Sequence, residues 1–275
     1  MVSCLSCFQT WVRSRPKLAD VSGRNDVYEA DEMHTAVDRN SYGSFITCDP
    51  ANETEIASPS LDVMLPDIIQ KGRENMDLMI DMMVNKPGFV ANGKIGDASL
   101  WYINRTSTGL PPIALGEIFL LFEDTVSLGQ IIMDLENKGK WDSEFLMGEV
   151  ICKYSTSDNL IYRKTWAAMK PKSGVSGRDF VYHTLSRSTP DSFCVVSWSA
   201  DDLDIPSEYK PKCKAVNHVR ARIILAGFLV RKTSPTTMTV NFLNQVDVGI
   251  TSWLSDPVVK KTPQVLNGLQ KYVGR

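Results

Sequence analysis

The C-terminal part of the chain changes from the spacing of a strand to the spacing of a helix. Apolar and polar side chains alternate through residues 238–246, which predicts one buried face and one face that meets water. Asn244 interrupts the apolar face and Leu243 the polar face. After Gly249, apolar side chains recur every three or four residues through 253–273, as along one face of a helix. Such a face must be buried, and the adjacent sheet is the nearest cover. The pattern therefore predicts a long C-terminal helix lying across an antiparallel sheet, and a loose contact between them would leave an apolar pocket.

The composition is that of an ordinary globular chain. Of its 275 residues, 43% are hydrophobic and 23% are charged, which suits one large domain or two small ones. The net charge of -2 argues against a general nucleic-acid binder. No apolar run approaches the roughly 20 residues that span a bilayer, and the N-terminal residues lack the pattern of a secretory signal. We therefore expect a cytoplasmic monomer that binds no nucleic acid, with six free cysteines.

Residues 1–60 mix polar and charged side chains without helical or strand periodicity. This pattern predicts a flexible N-terminal extension that precedes a folded domain at 61–275. An alternative is a membrane anchor, in which acylated Cys4 and Cys7 act together with the basic residues that follow them. Val2 stands where N-myristoylation requires a glycine, so myristoylation does not add to this signal.

Periodicity predicts an α+β domain from residue 61 onward. A methionine-rich pattern predicts a helix over 61–83, whose methionines are interpreted as core, with a lipid-contacting surface as the alternative. Helical spacing returns over 124–136 and again in the C-terminal run. Because helices stand at both ends of a series of strands, we expect them to pack on an antiparallel sheet. The predicted strands cover residues 99–104, 113–121, 148–154, 160–169, 180–186, 193–199, 216–230 and 238–246.

The sequence carries no motif of covalent catalysis. It lacks a Gly-x-Ser-x-Gly elbow, a phosphate-binding glycine loop and a His-Glu-x-x-His pair. His183 and His218 lie in predicted strands, where a structural role is the simpler interpretation. Asp201, Asp202 and Asp204 could hold a hard cation, but a solvated loop also explains them. We therefore expect no enzyme, no cofactor and no metal site.

Four short motifs follow one another along the chain: Lys140-Trp141-Asp142, Gly177-Arg178-Asp179-Phe180-Val181, Val219-Arg220-Ala221 and Asp247-Val248-Gly249. In order and approximate spacing they resemble the StAR-related lipid-transfer (START) domains, and the resemblance covers residues 61–273. It implies the helix-grip fold, in which a curved antiparallel sheet wraps the C-terminal helix and encloses a tunnel for one lipid. It also implies that a phospholipid, fatty acid, ceramide or sterol is carried between membrane surfaces without covalent chemistry. The alternative is a lipid-sensing or protein-scaffold domain without transfer activity.

The resemblance also implies a set of lipid-contacting residues. Sterol carriers of the family usually pair an acidic residue before the Arg-Asp motif with an arginine after it, inside the tunnel. Here these positions hold Lys164, or Thr165 in an ungapped alignment, and Thr184. The pair is absent, which favours a phospholipid over a sterol, and an inward Lys164 would need an anionic headgroup as its partner. Alternatively, Lys164 reaches water at the tunnel mouth. The predicted lipid-binding residues are Tyr162, Lys164, Trp166, Phe180, Tyr182, Thr184, Arg220, Phe242, Asn244, Val258, Val265, Leu266 and Leu269.

A loop and the C-terminal helix are expected to form a gate, since a closed tunnel cannot load a lipid. The loop over residues 170–177 carries two glycines and two lysines, and by family resemblance it lies against the helix at the tunnel mouth. Pro263 stands inside the helical pattern, where proline costs roughly 3 kcal/mol and favours a kink. Alternatively, Pro263 marks the start of the helix. The predicted gate residues are Lys170, Lys172, Gly174, Val175 and Gly177, and the lysines would steer the mouth towards anionic membranes.

Overall fold

A computed structural model describes residues 59–105, 109–155, 160–171, 176–200, 218–249 and 255–274, with side chains described except at 59–64 and 255–260. The described residues form an α+β structure, as predicted from the periodicity. In chain order its elements are α1 (Pro59–Asn85), β1 (Val90–Ile95), β2 (Ala98–Ile103), β3 (Ile113–Leu121), α2 (Thr125–Met133), α3 (Leu135–Lys138), β4 (Phe145–Ser155), β5 (Leu160–Met169), β6 (Gly177–Thr189), β7 (Ser192–Ser199), β8 (His218–Arg220), β9 (Arg222–Ser234), β10 (Thr237–Asp247) and α4 (Ser255–Val273).

The strands form a single sheet in the order β1-β2-β3-β10-β9-β7-β6-β5-β4, in which every neighbouring pair is antiparallel. The short β8 lies outside this path and pairs in parallel with the start of β6. In the middle of the sheet, Phe242 of β10 stands opposite Gly116 of β3 and Phe228 of β9. The large antiparallel sheet with a C-terminal helix confirms the helix-grip fold class.

Helices cover both faces of the sheet. Four methionines of α1, Met76, Met79, Met82 and Met83, are buried in one apolar cluster with inward side chains of the strands. This confirms that the methionine pattern belongs to the core. On the other face, Leu266 and Leu269 of α4 are fully buried in a second cluster with side chains of β3 and β10. Most residues of β10 therefore face a covering layer, whichever way their side chains point, and the exposed Asp247 at its end is the exception.

One face of β10 was predicted to meet water, and this prediction was wrong. Thr239, Asn241 and Gln245 are all buried. The Asn241 amide donates a hydrogen bond to Glu117 at 2.9 Å, so a neighbouring side chain replaces the water that the amide would otherwise bind. Leu243, which interrupts the polar pattern in the sequence, is fully buried in the same cluster as the α1 methionines. The alternation of apolar and polar residues could not by itself reveal that α1 covers this face of β10.

The C-terminal helix approaches the sheet closely where β3 carries a glycine. A Cβ atom at Gly116 would lie only 2.7 Å from Cδ1 of Leu266, so a larger residue would push the helix outward. The helix begins at Ser255, and Pro263 lies inside it and is buried. The interpretation of Pro263 as the first residue of the helix was therefore wrong.

Besides strand ends that extend a few residues further, the elements differ from the sequence-based expectation at three places. The helix expected over 124–136 is divided at Asp134, whose carboxylate accepts hydrogen bonds from the first backbone N–H groups of α3. The strand expected over 216–230 is divided into β8 and β9 at Ala221. The edge strand Val90–Ile95 was not predicted, because it is mostly exposed and its sequence does not alternate between apolar and polar residues.

Candidate functional site

A cavity of about 320 Å³ lies between α4, the α2–α3 segment, the start of β4 and the strands β5, β6, β7, β9 and β10. Most of its lining is apolar, and the rings of Phe228 and Phe242 stack in its wall with centroids 4.4 Å apart. Burying a hydrocarbon chain against such a surface is favourable by roughly 25 cal/mol per Å² of apolar area removed from water. The apolar lining includes Ile132, Met133, Phe145, Met169, Phe180, Val195, Ile223, Phe228, Phe242, Val246 and Val265.

The polar side chains of the cavity carry an excess of positive charge. Among the lining residues that the structure describes, five are basic and two are acidic, in a chain whose net charge is -2. The cavity therefore has the opposite sign to the chain as a whole, and an anion inside it would meet a favourable field. The basic residues are Lys138, Arg163, Lys170, Arg178 and Lys261, and the acidic residues are Asp142 and Glu144.

Lys138 and Asp142 form an electrostatic pair in the wall. Asp142 is buried, and burial raises the pKa of its carboxyl, while the charge of Lys138 acts in the opposite direction. Burial likewise lowers the pKa of Lys138, and Asp142 opposes that shift. The carboxylate also accepts a hydrogen bond from the backbone N–H of Glu144 at 3.1 Å. Each charge of this pair therefore has a partner supplied by the protein.

Arg163 and Tyr182 lie on adjacent strands and line the cavity together. The guanidinium of Arg163 donates through Nη1 to the carbonyl oxygen of Met133, the last residue of α2, at 3.2 Å. Tyr182 is hydrogen-bonded to the side chain of Thr165, and burial raises the pKa of its phenol far above neutral pH. The Tyr182 hydroxyl therefore stays uncharged and can donate a hydrogen bond.

Two contacts join α4 and the end of β10 to the rest of the cavity rim. Lys261 of α4 forms an ion pair with Glu144, Nζ to Oε2 2.6 Å, across the segment that precedes β4. Arg178 donates from Nε to the carbonyl oxygen of Val248 at 2.7 Å and from Nη1 to Ser176 at 2.6 Å. Because Ser176 and the lining residue Lys170 are exposed, this end of the cavity reaches solvent.

Several residues predicted from the sequence line the cavity. They come from β6, β10, α4 and the segment between β5 and β6, and they are brought together by the sheet order rather than by proximity in sequence. Gly177 does not line it, because it packs so tightly against His218 that a Cβ atom there would overlap the imidazole. The predicted residues in the lining are Phe180, Tyr182, Thr184, Phe242, Asn244 and Val265, together with Lys170 of the predicted gate.

The prediction for β5 chose the wrong face. Successive side chains of a strand point to opposite sides, and Arg163 and Thr165 line the cavity. Lys164 is fully buried on the opposite face, beside the position of His183 on β6. Lys164 is therefore neither the inward headgroup partner nor a residue that reaches water at the mouth. Thr165 and Thr184 both line the cavity, so the acidic–arginine pair of sterol carriers has no equivalent at these two positions.

Other predicted residues on that opposite face have structural partners. Tyr162 is hydrogen-bonded to Nδ1 of His183 at 2.7 Å. Trp166 donates its indole N–H to Asp179 at 3.3 Å, and Arg220 forms a bidentate ion pair with the same carboxylate. On the cavity side of the sheet, Leu266 and Leu269 of α4 pack against β3 and β10 and are absent from the cavity lining.

Some predictions fall outside the described residues or side chains. Those at the N-terminus and in the loop before β6 stay predictions, as does a domain boundary near residue 60. The three aspartates considered for a cation, which follow β7, also lie outside the described residues. The residues concerned are Cys4, Cys7, Lys172, Gly174, Val175, Asp201, Asp202, Asp204 and the side chain of Val258.

Sequence reasoning did not assign five charged residues to the cavity, besides Arg178 of the recognised Arg-Asp motif. Lys138 and Asp142 flank the Lys140-Trp141 part of a recognised motif, but nothing in their spacing shows that they face inward. Arg163 is the immediate neighbour of the residue chosen instead, so only the direction of the strand's side chains distinguishes the two. Glu144 and Lys261 are 117 positions apart and meet only in the folded chain.

Comparison with known proteins agrees with the architecture of a helix-grip domain around an apolar cavity. The model of the START domain family matches residues 69–271, and the chain belongs to this family. START domains bind a single lipid in an internal cavity. The crystal structure of human STARD10 is similar at 15% identity and a TM-score of 0.61, covering 72% of this chain and 78% of that one. Human StAR-related lipid transfer protein 5 is similar at 15% identity and a TM-score of 0.59, covering 74% and 94%.

One protein with a partly similar sequence is named as an enzyme. Part of the chain is 27% identical over 124 residues to the acetyl-coenzyme A thioesterase of Mus musculus. The match covers 44% of this chain but only 20% of that protein, so the chain spans about a fifth of the relative's length.

Within the described part of this chain, no helix has both the length and the hydrophobicity needed to cross a bilayer.

Proposed function

We propose that this protein binds one lipid in the cavity and transfers it between membranes without covalent chemistry, with phospholipids favoured over sterols. The observation that carries the proposal is the excess of basic side chains in an otherwise apolar cavity. Burial of hydrocarbon chains against the apolar wall lowers the free energy, whereas burial of cations raises it unless an anion pairs with them. A lipid with an acidic headgroup meets both conditions at once.

The polar groups at the expected sterol-recognition positions support the same choice. Thr165 bonds to Tyr182, and the Thr184 hydroxyl lies 3.2 Å from that of Ser197. These groups therefore satisfy one another with neutral hydrogen bonds. No acidic–arginine pair is formed at the two positions, so the feature that the family uses for sterols does not support a sterol here.

Thioester hydrolysis is the second candidate, because of the partial match to a thioesterase. Hydrolysis at neutral pH commonly uses a nucleophile beside a general base. Among the lining residues that the structure describes, there is neither histidine nor cysteine. This favours binding over catalysis. Release of coenzyme A from acetyl-coenzyme A by the purified protein, lost on filling the cavity, would contradict the non-enzymatic proposal.

Filling the cavity tests the proposed function. Ala226 lines it on β9, and Ala226→Phe would place a ring in space that the lipid needs. We expect at least a tenfold slower transfer of a fluorescent anionic phospholipid between vesicles, and less lipid detected by native mass spectrometry. Leu121→Phe is the control, since Leu121 is 81% exposed on β3. Equal transfer by Ala226→Phe and wild type would place lipid elsewhere, and no transfer by wild type would contradict a transfer function.

We further propose that the ion pair between Lys261 and Glu144 restrains the opening of α4 during lipid exchange. Partly exposed ion pairs contribute up to about 1 kcal/mol, so their loss changes an opening equilibrium by up to about fivefold. Both Lys261→Gln and Glu144→Gln should accelerate vesicle-to-vesicle transfer about threefold. Lys271→Gln, an exposed charge at the end of α4, serves as control. The two substitutions change the net charge in opposite directions, so opposite effects on transfer would indicate a charge effect and contradict a restraint.

A further inference from the structure

The position of Arg163 is set by the end of a helix. Met133 is the last residue of α2, and carbonyl groups in the last turn of a helix lack partners within the helix. Nη1 of Arg163 donates to the Met133 carbonyl oxygen at 3.2 Å. This bond links β5 to α2 and holds the guanidinium at the cavity wall. Arg163 is therefore placed by the fold before any ligand binds.

The protein satisfies the guanidinium only in part. A guanidinium has five N–H donors, and its Nε lies buried without a hydrogen-bond partner. The half-buried side chain lines the cavity, which gives its remaining donors access to a bound molecule. Burial lowers the pKa of Arg163, but arginine starts from so high a pKa that the group stays charged. A permanent cation with unused donors therefore faces an apolar space.

The acidic residues of the cavity do not neutralise this cation. Asp142 is matched by Lys138, and Glu144 forms its ion pair with Lys261. These are the two acidic residues among the described lining residues. Three basic lining residues are thus left without an acidic partner in the described lining. Lys170 is exposed to solvent, and Arg178 donates to the carbonyl oxygens of Val248 and Ser176. Arg163, whose Nε is unsatisfied, is the one best placed to meet a ligand. The neutral hydroxyl of Tyr182 lies on the adjacent strand and provides a second polar group on the same wall.

We propose that Arg163 binds the acidic group of the lipid inside the cavity and thereby selects acidic over neutral lipids of the same chain length. The inference rests on the proposed lipid-binding function and identifies the chemistry of its ligand. A carboxylate and a phosphate both present two oxygens that suit the planar donors of a guanidinium. The acyl chain then lies along the apolar wall that includes Phe228 and Phe242.

Two matched lipid pairs test the proposal and distinguish the two sources of the acidic group. Oleic acid is compared with oleyl alcohol, and dioleoyl phosphatidic acid with dioleoylglycerol, each delivered from cyclodextrin to the full-length chain. Binding is followed by native mass spectrometry and by intrinsic tryptophan fluorescence. Arg163→Gln should weaken binding of the acidic member of at least one pair about tenfold or more, and change the neutral member less than twofold. The pair that responds identifies a carboxylate or a phosphate.

Two further variants make the result specific to the guanidinium. Arg163→Lys keeps the charge but loses the planar donors, so we expect it to recover only part of the tenfold loss. Arg187→Gln removes an exposed arginine from β6 and should change neither pair. Circular dichroism checks that each variant is folded, and Arg163→Lys carries the test if Arg163→Gln does not fold.

The outcomes separate this inference from the function on which it rests. Equal weakening of acidic and neutral lipids by Arg163→Gln, or no weakening at all, would overturn the role of Arg163 while leaving lipid binding intact. Failure of Arg163→Lys to alter the ratio of acidic to neutral affinity would overturn the guanidinium as the selective group. Absence of binding of all four lipids to wild type would overturn the proposed function together with the inference.

Discussion

Gly268→Ala should lower the free energy of unfolding by about 2 kcal/mol or more. Gly268 lies where α4 crosses the segment before β4, and a Cβ atom there would overlap the carbonyl oxygen of Trp141. Overpacking of a fixed backbone contact costs about 1–3 kcal/mol and occasionally more, and the higher helix propensity of alanine returns about 1 kcal/mol of it. Because α4 cannot move away without losing the burial of Leu266 and Leu269, we expect the upper part of that range. Urea unfolding followed by circular dichroism measures the difference.

The control for this prediction is the same substitution at Gly139, next to the same segment. A Cβ atom at Gly139 would meet its nearest neighbour, the Phe145 carbonyl oxygen, at an ordinary 3.7 Å, and its backbone is helical. Gly139→Ala should therefore change the free energy of unfolding by less than about 0.5 kcal/mol. Equal stability of the two variants would mean that α4 does not pack on Trp141 as described.

Asp179→Ala should destabilise the fold by about 3 kcal/mol. The Asp179 carboxylate is buried, accepts two hydrogen bonds from Arg220 and accepts a third from the indole of Trp166. Hydrogen bonds to charged groups contribute about 1.5–3 kcal/mol each, and removing one partner leaves the others unsatisfied. Arg220 is about one-third exposed, so water replaces part of its loss, which limits the total. The measurement is again the free energy of unfolding in urea.

A second measurement distinguishes stability from ligand binding at this position. Asp179 does not line the cavity, so the folded fraction of Asp179→Ala should keep the wild-type ratio of affinities for acidic and neutral lipids. Asp191→Ala, at an exposed turn, is the control and should unfold like wild type. A loss below about 1 kcal/mol in Asp179→Ala would contradict the view that the Arg-Asp motif is structural here.

These two predictions concern recognised motifs whose roles the sequence did not reveal. The Arg-Asp motif and the Val-Arg-Ala motif meet through Asp179 and Arg220, which join β6 to β8. Trp141, from the first motif, forms with its backbone the surface on which α4 rests. The resemblance identified the family correctly, but Arg220, which it assigned to lipid contact, has a structural partner instead.

Local periodicity was sufficient for most of the secondary structure. The strand predicted over 160–169 agrees with Leu160–Met169, and the C-terminal helix predicted over 253–273 agrees with Ser255–Val273. Both signals are properties of neighbouring residues, because side chains repeat every two residues in a strand and every 3.6 in a helix. The methionine pattern of α1 was recognised as core for the same reason.

The direction of the β5 side chains was beyond local periodicity. Most residues of this strand are buried, because both faces of the sheet are covered, so apolar and polar residues no longer alternate with inside and outside. The sequence determined that Arg163 and Lys164 are neighbours on a strand and therefore point in opposite directions. Only the tertiary structure decided that Arg163 is the one in the cavity, because that depends on which layer packs on each face of the sheet.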